Sequence, residues 1–450
     1  MLRTRYEELY EQLQKKLQQR KIRFDRWLRK IKPSDLAEIL HMLSEQELEK
    51  LVQKSNSKRL AAVISKADED LQVRVVDKMN SSQIVNVFNW ISNDEITDIL
   101  GNLSREKRKD ILKQMKDRES RVVRKLLEYG KESAGGLMTT EYLAFRQDIT
   151  IKALLDELEG NIENRTANLE TIFVLNQKQE LVGKADLRDI LAAREDQLLE
   201  ELTKYDIITV PPDLDQEEVS LLVSRYDLKV IPVINDNKKL LGIITVDDII
   251  DVIEEEATED MLKMVGVNRD ERANSPLFSS MKKRLPWLFI NLSTAFLAAF
   301  VVGMFEDVIS QVVALAVAMP VVAGMGGNAG SQTLSIMIRE IALGEIDFKK
   351  NWKIVFKEIG LGLLHGTAIG LVTGVILYLN YNNIYLGVII FLAMIVNLVI
   401  AGLSGFLIPI TLRKLGVDPA LAAAIFLTTA TDVFGFFVFL GLAKLFLELL

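Results

Sequence analysis

Three regimes of hydrophobic patterning follow one another along the chain. Over residues 33–125 small apolar groups recur about every 12 positions, as Leu48/Leu51, Ile84/Val87, Ile96/Ile99 and Ile111/Leu112. Leu43-Ser44, Ile91-Ser92 and Leu103-Ser104 share a turn pattern, with Asn80-Ser81 between them. Ser44 with Glu47 and Ser92 with Glu95 read as capping boxes, so each repeat is predicted to be one short helix with a marked start. Helices this short cannot bury a face alone and must stack, which predicts an all-α superhelical domain over residues 1–130.

The second regime is a duplication at an offset of 59 residues. Ile172-Phe-Val-Leu175 matches Ile231-Pro-Val-Ile234, Gly183 matches Gly242, and Asp189-Ile190 matches Asp248-Ile249. Each half reads as helix, strand, turn, strand, helix, with β-branched strands bounded by polar turns. The halves, 131–200 and 201–253, resemble a tandem CBS pair, an α/β module that often binds adenine nucleotides. Thr245 and Asp248 fit that family's nucleotide motif in the second half. The first half carries Ala185 where the hydroxyl belongs, so the resemblance implies one ATP-type site at most.

From Leu285 the third regime is apolar. Leu285–Met304 and Val308–Ile338 carry no charge, Ile359–Leu412 has only His365 among its charge-bearing candidates, and Pro419–Ala443 has only Asp432. The 54 residues of Ile359–Leu412 hold two spans of about 20 residues each. They are split by the Tyr-rich turn Tyr378-Leu-Asn-Tyr-Asn-Asn-Ile-Tyr385. Five α-helical spans over 281–450 are predicted. Lys282, Lys283 and Arg284 precede the first span. Lys349, Lys350, Lys353 and Lys357 lie between the second and third, and Arg413 and Lys414 between the fourth and fifth. Basic residues thus fall on alternate sides, which predicts a multi-pass protein of the cytoplasmic membrane with a cytoplasmic N-terminus and an outside C-terminus. Met1–Lys32, with 11 basic and 4 acidic residues, reads as no signal peptide.

Charge sharpens the picture. Residues 1–130 hold 28 basic and 21 acidic side chains, 131–270 hold 15 and 31, and 271–450 hold 12 and 10. A middle third at −16 excludes a nucleic-acid binder and attracts cations. With no Cys and two His, any metal handled is a hard, oxygen-liganded one, magnesium or calcium rather than zinc or copper. The acids concentrate in Val246–Asp260, where 8 of 15 residues are acidic. Helical spacing puts Asp248, Asp251, Glu255 and Glu259 on one face, with Glu256 and Asp260 beside them. Like charges so spaced destabilise a helix by about 0.2–0.5 kcal/mol per pair, so this stretch calls for a counter-ion. Residues 246–280 are expected to form an acidic helix running directly into the first span.

Two membrane features stand out. The second span carries the run Pro320-Val-Val-Ala-Gly-Met-Gly-Gly-Asn-Ala-Gly-Ser-Gln-Thr333. Its Asn328, Ser331, Gln332 and Thr333 exceed what close packing needs, and irregular backbone at that depth is tolerated only where it faces protein or water. The fifth span carries Asp432 after Thr428, Thr429 and Thr431. A mid-bilayer carboxylate costs about 2.5–3.5 kcal/mol and marks an ion path.

With Asp418-Pro-Ala-Leu and Thr-Thr-Ala-Thr-Asp432, these segments in this order resemble the MgtE family of magnesium channels over essentially the whole chain. The resemblance implies a homodimer with its pore on the two-fold axis, where Asp432 from both chains surrounds a hydrated Mg²⁺ flanked by Thr428 and Asn328. It makes the acidic helix a plug closed by cytosolic Mg²⁺. By motif the sensor ligands are Asp227, Asp248, Asp251, Glu256, Glu259 and Asp260, with Asp418 at the membrane end. Asp94 and Asp98 are the superhelix contribution. The chain departs from a fuller ring of ligands at Ala424, one turn before Thr428, which offers no side-chain oxygen. Two competing readings are an ion-coupled divalent-cation carrier and a CBS nucleotide sensor anchored by its spans. No nucleophile–base pair or P-loop points to an enzyme.

Overall fold

The computed structural model describes all residues except 1, 19, 20, 162–169, 270, 272, 274, 346–351, 422 and 450. The flanking Lys349 and Lys350 and the terminal Leu450 therefore lie outside the described residues. The chain forms two units, Met1–Ile253 and Glu254–Leu450.

The 12-residue rhythm is strict in three dimensions. Helices begin at Pro33, Glu45, Ser57, Glu69, Ser81, Asn93, Arg105 and Asp117. Each packs chiefly on the helix two places along, so alternate helices stack into two rows around one apolar core. The Ser44 box forms: Ser44 N–H donates to Glu47 at 3.0 Å and Glu47 N–H to Ser44 at 3.4 Å. The expected Ser92 box does not, because Ser92 makes no side-chain cap and the Glu95 carboxylate accepts from Ser65 Oγ at 2.8 Å instead. Asn80 and Gln83, at the same three-residue spacing ahead of Ile84, also make a box.

In the duplicated region β1 (Leu143–Arg146) lies parallel to β2 (Thr171–Leu175), which pairs antiparallel with β3 (Leu181–Asp186). β4 (Val230–Ile234) pairs antiparallel with β5 (Leu240–Thr245). The offset of 59 holds for the strands, for a bulge at Val174/Leu175 and Val233/Ile234, and for left-handed residues Gln179 (φ 63°) and Lys238 (φ 56°). The matched glycines have one cause. A Cβ on Gly183 would lie 2.6 Å from the Lys204 carbonyl and one on Gly242 2.7 Å from that of Thr139, where an incoming segment crosses the strand.

The acidic helix spans Val246–Met264. It does not run directly into the membrane part. Gly266, at φ +71°, ends it, and the first span starts afresh at Leu277. The spans are span 1 (Leu277–Gly303), span 2 (Ala314–Ala342), span 3 (Trp352–Tyr381), span 4 (Ile384–Lys414) and span 5 (Ala423–Leu445). Span 1 begins eight residues before Leu285, taking Lys282, Lys283 and Arg284 into its first turns. A separate short helix, Glu306–Gln311, precedes span 2, so Val308 is not part of that span. The glycine-rich run stays α-helical throughout, so its backbone amides are satisfied within the helix. Span 4 is the hub, packing on spans 2, 3 and 5, while span 1 packs on span 5. The span 3 to span 4 approach is backbone-close: a Cβ on Gly366 would sit 2.5 Å from Ile395 Cα.

Candidate functional site

Three groups of predicted residues fall in three places. In the first unit, the start of helix Asn93–Asn102 faces the end of β5 and the first turn of the acidic helix across a cavity of 290 Å³. Asp94, Glu95, Glu141, Asp247 and Asp248 line it with Thr139 and Thr245, Trp90 forms part of the wall, and no lysine or arginine is among the lining residues. Asp94 is 9% exposed and its Oδ1 has no hydrogen-bond partner. Burial pushes its carboxyl above the usual range, and Glu95 rises for the same reason. Burial, opposed by a 2.6 Å hydrogen bond donated by Thr245 Oγ1, pushes Asp248 up to about 6, with the Asp94 charge adding to the rise. One turn after Asp94, burial and then the Asp94 charge push Asp98 up to about 7, but Asp98 is exposed and does not line the cavity, so solvent screens much of that effect.

These shifts fix a pH dependence. Folded-state values above unfolded ones mean that the folded unit holds extra protons. That stability is full below about pH 4 and is lost as pH rises through about 6 to 7. A bound cation relieves the same repulsion at higher pH. Added Mg²⁺ at about 10 mM, suited to weak oxygen sites, should raise the first unfolding transition of the full chain much more at about pH 7.5 than at about pH 5.5. Equal thermal shifts at the two pH values would count against a cation in this cavity.

The second group lies in the second unit. Met264, at the end of the acidic helix, packs against Leu334, Ile338, Ala420, Ala423 and Leu427 of spans 2 and 5 and the turn before span 5. Nearby, Asp418 accepts from Lys263 Nζ at 2.5 Å, and the same ammonium pairs with Glu259. Arg269 reaches Glu259 at 3.1 Å and Glu255 at 3.6 Å. Burial, then the Asp418 charge, push Asp260 up to about 6. The expected ligands Glu259, Asp260 and Asp418 are thus brought together, with Glu256 contributing to the field on Asp260.

The third group is in the spans. Asp432 is half-buried in span 5 and has no hydrogen-bond or ion-pair partner among the described residues. The hydroxyls of Thr428 and Thr429 donate to the Ile425 carbonyl, and that of Thr431 to the Leu427 carbonyl. Asn328, Ser331 and Gln332 form an exposed polar strip on span 2.

Two predicted ligands join none of these groups. Asp227 is exposed at φ 51°, the left-handed position beyond helix Gln216–Arg225, and Asp251 is exposed without lining the cavity. Among the described residues no three His, Asp or Glu side chains converge on a single metal shell. Sequence reasoning missed Glu95, Glu141 and Asp247 in the cavity and two side chains in the spans. Asn397, fully buried in span 4, donates to the Val322 carbonyl at 2.8 Å, and its amide fills the space beside Gly326 and Gly435. Glu358, 7% exposed in span 3, accepts from Thr333 Oγ1 at 2.9 Å. Its signal was an acid one residue before an uncharged run.

Comparison with known proteins matches residues 319–442 to a divalent cation transporter family, 31–132 to the MgtE intracellular N domain and 199–255 to a CBS domain. The chain is 34% identical over 334 residues to the magnesium transporter MgtE of Bacillus subtilis, covering 74% of each chain. It is 35% identical over 329 residues to that of Thermus thermophilus, covering 72% of each. Among solved structures, the soluble part of a magnesium transporter matches with a TM-score of 0.51 at 27% identity, over 56% of this chain and 99% of that one.

Proposed function

The chain belongs to the MgtE family of magnesium transporters, and from that premise we propose that it is a Mg²⁺-selective channel of the cytoplasmic membrane, closed by cytosolic Mg²⁺. The observation that carries the reading is Asp432: a half-buried carboxylate in a span with no partner among the described residues. Such a group is costly in a bilayer unless a cation or water faces it. The exposed strip Asn328, Ser331 and Gln332 makes the same demand for cover by protein or water. A second copy placing both strips and both Asp432 side chains about one axis meets it. Mg²⁺ sheds water reluctantly, so paired carboxylates holding a hydrated ion, with Thr428 and Asn328 alongside, give selection without full stripping.

In this reading the superhelix (1–130) and CBS repeats (131–200 and 201–253) sense cytosolic Mg²⁺, residues 246–280 are the plug, and 281–450 conduct. Asp94, Asp98 and Asp248 supply one cation position, with Asp227 and Asp251 recruited as the elements draw together. Glu256, Glu259, Asp260 and Asp418 supply another. An adenine nucleotide at the CBS pair would meet Thr245 and Asp248, already hydrogen-bonded to each other. Moving a gate from 1:99 to 99:1 takes about 5.5 kcal/mol. One site at tenfold saturation supplies about 1.4 kcal/mol, so roughly four weak sites suffice. Scattered acids fit that better than one tight cage.

The test is Mg²⁺ flux in proteoliposomes together with planar-bilayer recording. Discrete unitary currents, suppressed by millimolar-range Mg²⁺ on the side bearing the soluble unit, are expected. Flux that never resolves into unitary currents and needs a proton or sodium gradient would assign a coupled carrier instead.

A further inference from the structure

We propose that Lys263 is a tethered competitor for Mg²⁺ at the membrane end of the plug: its ammonium seats between Glu259 and Asp418, and a divalent ion must displace it. This rests on the reading of those carboxylates as cation ligands. It adds the residue that sets how much Mg²⁺ they need.

The geometry is specific. Lys263 lies one helical turn beyond Glu259 and bridges it to Asp418, 155 positions away in sequence, with Nζ–Oδ2 at 2.5 Å. The contact is substantially shielded, with 26% of the Lys263 side chain, 16% of Glu259 and 32% of Asp418 exposed. Arg269 takes the outer side of Glu259 and reaches Glu255. Burial works against the Lys263 charge, yet its hydrogen bonds with Asp418 and Glu259 outweigh that and hold its pKa above the usual lysine value. The ammonium therefore stays charged at any physiological pH.

Lysine suits a displaceable occupant. It is a compact point charge on a flexible stem, whereas arginine locks carboxylates through a planar fork. It satisfies the two carboxylates in the ion-free chain, which would otherwise repel each other across a shielded contact. An occupant of this kind weakens apparent affinity by the fraction of time the site is free. If Lys263 holds the carboxylates about nine-tenths of the time, Mg²⁺ binds about tenfold more weakly than to the bare site. The threshold for closure rises by the same factor.

The experiment uses the full chain in detergent with Mn²⁺, an oxygen-ligand divalent probe read by the paramagnetic resonance of the free ion. Lys263→Met should bind one Mn²⁺ per chain about tenfold more tightly than wild type, and Lys263→Arg should lose that gain. The double variant Lys263→Met/Asp418→Asn should lose it too. In flux assays Lys263→Met should close at correspondingly lower Mg²⁺. If Lys263→Met does not fold, Lys263→Gln carries the same expectation. Unchanged or weaker Mn²⁺ binding in the Lys263 variants, with Asp418→Asn still weakening wild-type binding, overturns the competitor role and leaves the site reading standing. If Asp418→Asn and Glu259→Gln also leave the isotherm unchanged, no cation binds there and both ideas fall.

Discussion

Asp432→Asn should lower Mg²⁺ uptake by about a hundredfold at matched protein levels, the equivalent of about 2.8 kcal/mol at tenfold per 1.4 kcal/mol. Two symmetry-related carboxylates supply the charge that holds a divalent ion in the path, and Asn keeps their shape while removing it. The nearby hydroxyls cannot replace it. Those of Thr428, Thr429 and Thr431 already donate to carbonyls of their own helix and offer only neutral oxygens. Asp432→Glu should fall between, since the carboxylate survives but is displaced by one methylene in a confined space. The rival account, a carboxyl satisfied by a neighbouring helix, predicts that Asn is tolerated, and no such partner is present among the described residues. Uptake of Mg²⁺ into proteoliposomes, reported by a lumenal dye, decides the matter: near wild-type flux in Asp432→Asn would end the ion-site reading.

What the sequence made legible follows physical reach. Repeats were readable because stacking depends on local periodicity: the 12-residue step and the 59-residue offset reappear unchanged in the helices and strands. The five spans were readable because a bilayer sets a length and excludes charge. Boundaries were less so. Gly266 stops the acidic helix because it takes a left-handed φ, and span 1 admits Lys282–Arg284 because basic side chains can snorkel at a helix end. The cavity was half legible. Asp94 and Asp248 came from motif and Asp247 adjoins Asp248 in the acidic run, but Glu141 reaches the cavity through tertiary folding, which no spacing reveals. Glu358 and Asn397 show the same limit. Each answers a partner in another span, Thr333 and the Val322 carbonyl, distant in sequence. The pairing of Glu259 and Asp418 by Lys263 was likewise invisible, since charge counting registers an acidic run and not which cation folds back on it.

The combined change Asp94→Asn and Asp248→Asn should act with opposite signs with and without Mg²⁺. Without Mg²⁺ at about pH 7.5 Asp248 stands above its raised value and is charged, beside Asp94, whose burial holds its carboxyl above the usual range, in a cavity lined by five acids and no base. Removing them relieves desolvation and repulsion. The rise of Asp248 to about 6 corresponds, after a discount for its partial exposure, to about 2 kcal/mol. The metal-free variant should therefore be the more stable protein, with slower amide exchange across helix Asn93–Asn102. Near pH 4, below the raised value of Asp248, that carboxyl holds its proton, the repulsion it makes is gone, and the advantage should vanish. With about 10 mM Mg²⁺ at pH 7.5 the order changes. Wild type gains protection as the ion joins the two elements, while the variant, with amides in place of carboxylates, gains little. In flux assays the variant should need several-fold more Mg²⁺ to close, with maximal uptake unchanged because Asp432 is untouched. Hydrogen exchange over Asn93–Asn102 in both proteins, with and without Mg²⁺, provides the measurement. A variant that is less protected than wild type without Mg²⁺, yet gains as much when it is added, would show that these carboxylates support the fold and not the ion.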